Sequence, residues 1–152
     1  MHECEVISIL DDLIETCRRG QEGFRNAAES LQTCEFRRLF NIISQQRAQF
    51  VTELLAEVHR LGGGAGKTAS LAFSNNSTVR PLRRRSTTVK SAGMRDEASI
   101  IVEWQREEEA AVHNYQEALK ADLPLDVQYV VKRQYMDVKD TNDRIRVLRR
   151  AA

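Results

Sequence analysis

The sequence predicts an all-α protein: a four-helix bundle made of two antiparallel helical hairpins joined by one long crossover. Three observations carry this. Apolar residues recur at spacings of three and four over four long segments. The helix breakers gather between those segments: only two prolines occur, and Gly62, Gly63, Gly64 and Gly66 supply most of the seven glycines. The second half also repeats the plan of the first at an offset of 88 residues, pairing Glu15 with Glu103, Arg18 with Arg106, Asn26 with Asn114, Glu29 with Glu117, Leu31 with Leu119 and Gln46 with Gln134.

The first helix is expected from about Glu5 to Leu31, with Leu10, Leu13, Cys17, Phe24, Ala28 and Leu31 on one stripe. Thr33 is a candidate N-cap for the second, which has Glu35 in its first turn and Phe36, Leu39, Ile43, Phe50, Leu54 and Leu61 on its inner face. Gly62 ends it, preceded by His59 and Arg60 at the negative end of the helix dipole. Asp96 is the expected cap of the third helix, whose stripe is Ile101, Trp104, Val112, Tyr115 and Leu119. Leu123-Pro124 breaks the chain and opens the fourth, with Val127, Val131, Val138, Ile145 and Leu148. The joins at 32–34 and 121–124 are short enough to require antiparallel neighbours. The organisation is thus one domain over 1–152, with hairpin 1 at about 4–62, a crossover at 63–95 and hairpin 2 at about 96–150. Two hairpins with one long crossover is the plan of a ferritin-like bundle.

Charge is segregated along the chain. Residues 62–95 carry Lys67, Arg80, Arg83, Arg84, Arg85, Lys90 and Arg95 and no acid, leaving 16 basic against 22 acidic residues in the helical part. The simplest reading lays this basic stretch on its own acidic bundle. The alternative is an anion-binding arm centred on Arg83, Arg84 and Arg85. No aromatic residue interleaves with those arginines, which argues against nucleic acid as a partner. Residues 65–95, without apolar periodicity, are expected to be the least ordered part, apart from a short helix at Thr68 to Phe73. Gly62-Gly63-Gly64-Ala65-Gly66-Lys67-Thr68 resembles a P-loop, but Leu61 stands where the first glycine belongs and no strand precedes it. No apolar run reaches the ~20 residues of a membrane span. Met1-His2-Glu3-Cys4-Glu5 lacks the basic and apolar regions of a secretory signal, and Cys4, Cys17 and Cys34 show no CxxC spacing. The reading is a cytoplasmic protein whose partner is another protein or a second copy.

Polar residues on the apolar stripes mark the candidate site. Gln46 lies between Ile43 and Phe50, Gln134 between Val131 and Val138, and Glu108 between Trp104 and Val112. Counted from the hairpin turns these three share one depth, with Cys17 to Gly20 close to it, so a central polar layer of Glu108, Gln46 and Gln134 is expected, held by hydrogen bonds among them. A di-iron site in such a bundle needs a Glu from each of two helices and a Glu-x-x-His from each of the others. Here the matching stretches read Gln46-Arg47-Ala48-Gln49 and Gln134-Tyr135-Met136-Asp137, without histidine. The expectation is no cofactor and no catalytic residue. The alternative is a degenerate iron or manganese protein with oxidase activity, using Glu108, Glu22, Glu53 and Asp137.

Several segments resemble a bacterial ferritin-like family of unknown function: Leu13-Ile14-Glu15-Thr16, Gly20-Gln21-Glu22-Gly23-Phe24, Gln46-Arg47 with Phe50 and Glu53-Leu54, and Leu61-Gly62-Gly63. So do Glu108, Tyr115-Gln116-Glu117-Ala118-Leu119 with Leu123-Pro124, and Asp143-Arg144-Ile145-Arg146. The resemblance implies a four-helix bundle, sometimes stress-associated, with no established enzyme activity. This chain departs from it in having Asn142 where members often carry histidine, and a Ser/Arg-rich crossover where they carry a helical one with tryptophan.

Overall fold

The computed structural model describes residues 2–62 and 96–151, and the described residues form four helices and no strand. They are α1 (His2–Ser30), α2 (Cys34–Arg60), α3 (Glu97–Leu119) and α4 (Leu125–Ala151). The expected short helix at Thr68 to Phe73, the disorder expected of 65–95, the P-loop-like stretch beyond Gly62 and the arginines Arg83, Arg84 and Arg85 all lie outside the described residues.

Local chemistry sets the helix ends. Asp96 caps α3, its carboxylate accepting from the Ser99 N–H at 3.2 Å. Thr33 occupies the N-cap position of α2 without a side-chain cap bond. Its own N–H instead donates to Glu97 Oε2 at 2.9 Å, tying the first hairpin to the start of α3. Gly62 takes φ +82°, the left-handed conformation that stops a helix and that side-chain-bearing residues avoid. Pro124 leads into α4, its carbonyl accepting from the Gln128 N–H at 2.7 Å.

Each helix lies beside two others: α1 against α2 and α3, and α4 against α2 and α3. Cross-helix contacts give the directions. Cys17 meets Tyr115 and Phe24 meets Trp104, so α1 and α3 run antiparallel. Arg47 meets Thr141 and Gln134 meets Glu53, so α2 and α4 do as well. Arg60 pairs with Asp126 at one end of the bundle, while Thr33 and Glu97 meet at the other. Gly62 and Asp96 therefore stand at opposite ends.

The core has two apolar blocks. One gathers Leu10, Cys17, Leu54, Tyr115, Val131 and Val138, and the other Phe24, Phe40, Ile43, Ile101 and Ile145. In the second block Phe24 sits edge-on to Phe40, with ring centroids 4.9 Å apart, and packs against Trp104 at 5.1 Å. Trp104 comes this close because Gly23 has no side chain: a Cβ there would lie 2.0 Å from the indole. Between the blocks every helix contributes a small or polar residue at the same level: Gly20, Arg47, Glu108 and Thr141.

Candidate functional site

Helix periodicity brings this layer together. On α2 the inward spacing runs Ile43, Arg47, Phe50, Leu54, which places Arg47 and not Gln46 on the core face. The Arg47 guanidinium is buried, and its Nη1 and Nη2 donate to the two oxygens of the buried Glu108 at 3.1 and 2.5 Å. Nη2 also reaches Thr141 Oγ1 at 3.3 Å. The Thr141 hydroxyl lies between Glu108 Oε2 and the Val138 carbonyl, 2.8 Å from the latter, with one proton to share between them. Burial works against charge on Arg47, but the attraction and hydrogen bonds of Glu108 outweigh it and hold the guanidinium above its ordinary pKa. The Arg47 stem runs past Gly20, where an added Cβ would be 3.5 Å from Arg47 Cγ.

A second network lies about two turns away along α2, α3 and α4. The Tyr115 hydroxyl donates to Gln134 Oε1 at 2.7 Å, which leaves the Cys17 thiol as donor in the 3.1 Å contact between Cys17 Sγ and Tyr115 Oη. Gln134 Nε2 then donates to Glu53 Oε1 at 2.8 Å and to the Phe50 carbonyl at 3.4 Å. Glu53 is half-buried and also accepts from Arg133 at the surface, at 2.8 Å. The chain Cys17, Tyr115, Gln134, Glu53 therefore runs from the core to the outside with every donor matched to an acceptor.

These positions correct the layer expected from the sequence. Glu108 bonds to Arg47 and Thr141 rather than to the glutamines. Gln134 is fully buried but belongs to the Tyr115–Glu53 network. Gln46 is half-buried beside the stripe, its Oε1 without a hydrogen-bond partner. The sequence reading did not place Arg47 or Thr141 in this layer, although both fit the spacing of three and four. Of the remaining candidate ligands, Glu22 is exposed and Asp137 half-buried, and neither joins Glu108. Among the described residues no group of three or more His, Cys, Asp or Glu side chains lies close enough to hold a metal.

Chemically the centre is quiet at neutral pH. Desolvation raises the Cys17 thiol from 9.0 to about 11, against the opposing pull of its Tyr115 hydrogen bond. Desolvation likewise holds the Tyr115 phenol well above 10.0, with Cys17 adding to the rise. Cys17, Tyr115, Arg47 and Glu108 all line a cavity of about 30 Å³, room for little more than a water molecule.

The raised thiol pKa has a testable consequence. Unfolded Cys17 loses its proton near pH 9.0, whereas the folded thiol keeps it to about 11. Between those values the unfolded state binds fewer protons, so this contribution is fully present below the window and is lost as pH rises through it. The loss is on the order of 2 to 3 kcal/mol. Urea unfolding followed across that window should show stability falling with pH in the parent protein and a shallower fall in Cys17→Ala.

Four antiparallel helices around a buried ion pair define the chain as a helical-bundle protein, all-α throughout its described residues. It belongs to the family described as Domain of unknown function (DUF2383), which matches residues 5–121. That span takes in α1 from Glu5, all of α2 and α3, and stops before α4. It is narrower than the resemblance read from the sequence, which reached Arg146. No curated protein matches the chain. Among the described residues no helix is long and apolar enough to cross a membrane.

Proposed function

We propose that this chain is a ferritin-like bundle with a structural or interaction role in the cytoplasm rather than a catalytic one, in keeping with the stress association its resemblance implies. The observation that carries the reading is the Arg47 guanidinium at the junction of the two core blocks, the depth at which ferritin-like proteins hold their metals. It supplies the positive charge that Glu108 needs, and it engages both carboxylate oxygens. A metal at Glu108 would have to displace a fixed cation, so the residues present do not fit an iron or manganese centre. The cavity at Glu108, about 30 Å³, is far below the ~300 Å³ at which small-molecule sites begin, and the open cleft of about 400 Å³ beside it, between α1 and α3, is lined by neither Arg47 nor Glu108. The antiparallel pairs, with Gly62 and Asp96 at opposite ends, support the ferritin-like connection, since a chain leaving at one end must return at the other.

Elemental analysis checks this reading. Protein produced in medium supplemented with iron and manganese and purified without chelator should contain far less than one ion of either metal per chain. Stoichiometric metal, with dioxygen consumption on reduction, would replace it with the degenerate oxidase built on Glu108, Glu22, Glu53 and Asp137.

A further inference from the structure

Among the described residues five large apolar side chains are exposed, and four of them belong to α4: Leu125 at 80 %, Tyr129 at 70 %, Met136 at 61 % and Val147 at 60 %. At 3.6 residues per turn these four fall within about 40° of one another, on the side of α4 opposite its core-facing Val127, Val131, Gln134, Val138 and Ile145. A helix in a small bundle keeps its outward face polar. The outward face of α4 instead alternates, running Leu125, Tyr129, Lys132, Met136, Asp140, Asp143 and Val147, the pattern of a mixed helix–helix seam over most of an ~40 Å helix.

We propose that α4 packs antiparallel against α4 of a second copy, about a two-fold axis at Met136. With the axis placed there, two features of the sequence agree with it. Along the seam Leu125 falls opposite Val147, Tyr129 opposite Asp143 and Lys132 opposite Asp140 of the second copy, and the flank toward α2 is charge-complementary under the same operation. That flank carries Asp126, Arg133, Asp140 and Arg144. The two-fold sets Arg133 within about 1.5 Å in height of Asp140 of the second copy, and Asp126 within about 3 Å of Arg144. An isologous contact requires such self-complementarity, with residue i meeting j and j meeting i. Within one chain Arg133 already pairs with Glu53, Asp126 with Arg60 and Arg144 with Asp140. The second copy therefore extends existing pairs into a network, which fixes register more than it adds affinity. On the flank toward α3, Lys139 of the second copy falls near Lys132, whose directly opposite residue is Asp140 of that copy. This proposal goes beyond the reading of the bundle centre and stands or falls separately from it.

Sedimentation equilibrium of the full chain tests it. The parent protein should run as a dimer at micromolar concentration. Met136→Glu, which places two carboxylates on the axis, should weaken dimerisation at least ~30-fold while leaving helical content unchanged. The geometry is checked by oxidation in a Cys4→Ser/Cys34→Ser background, which removes the two exposed thiols. Met136→Cys alone should cross-link two chains, Leu125→Cys alone should not, and Leu125→Cys with Val147→Cys should. A monomeric parent protein, a dimer indifferent to Met136→Glu, or cross-linking by Leu125→Cys alone would each overturn the proposal.

Discussion

Replacing Glu108 with alanine is expected to cost about 3 to 5 kcal/mol, a large share of the stability of a domain this size. The cost comes from what remains. Arg47 would keep its charge in a buried site with Thr141 as its one remaining hydrogen-bond partner there. Replacing both members should behave differently. In Arg47→Met with Glu108→Met no buried charge is left, and flexible apolar chains fill the space between the two core blocks. That double variant should come within about 2 kcal/mol of the parent protein, or exceed it. Chemical denaturation of the parent, both single variants and the double variant completes the cycle. A mild Glu108→Ala phenotype would show that Arg47 escapes to solvent, and hence that the layer is looser than described.

Gly23→Ala is the second large expected effect. A single methyl group there would lie 2.0 Å from the Trp104 ring, far inside contact distance. The ring edge must swing away, losing its packing on Phe24, or α1 and α3 must separate. Overpacking of this kind costs about 1 to 3 kcal/mol, against the roughly 1 kcal/mol gained by replacing a helical glycine with alanine. Pairing the change with Trp104→Leu should recover part of the loss, because the obstructing ring is gone. Thermal melts of the two single variants and the pair would show the coupling. Additive losses would mean that Gly23 and Trp104 do not meet.

Much of this architecture is legible in the sequence because it rests on local rules. Asp96 caps because a short acid precedes a run of helix formers, and Gly62 stops α2 because only glycine takes its positive φ without strain. The stripes of α1 and α2 follow from periodicity alone. The identity of the central layer does not. Positions 46 and 47 both satisfy a spacing of three or four from Ile43 to Phe50, and an arginine read singly belongs outside. Its burial becomes reasonable only with Glu108, 61 residues away, and the pairing of two side chains across a bundle is not a property of either helix. One signal was available: a buried carboxylate requires a cation at its own depth, and Arg47 is a base on an inward position there. The 88-residue repeat also misleads at the centre. Gln46 and Gln134 correspond in sequence, yet one is half-buried beside the stripe and the other fully buried within a network. Glu108 itself corresponds to Gly20, whose missing side chain leaves room for the arginine stem. The two hairpins share a plan, and the ion pair is where they differ.

A guanidinium, and not a metal, at the centre of the bundle is what holds Glu108 there. Arginine side-chain NMR of the labelled full chain, recorded with and without added manganese, observes that group directly. Arg47 should give separate, slowly exchanging Nη–H signals coupled to the Glu108 carboxylate, unlike the surface arginines, and manganese should leave them sharp. Averaged, fast-exchanging Arg47 signals, or selective loss of the Arg47 and Glu108 signals with stoichiometric manganese, would contradict this arrangement.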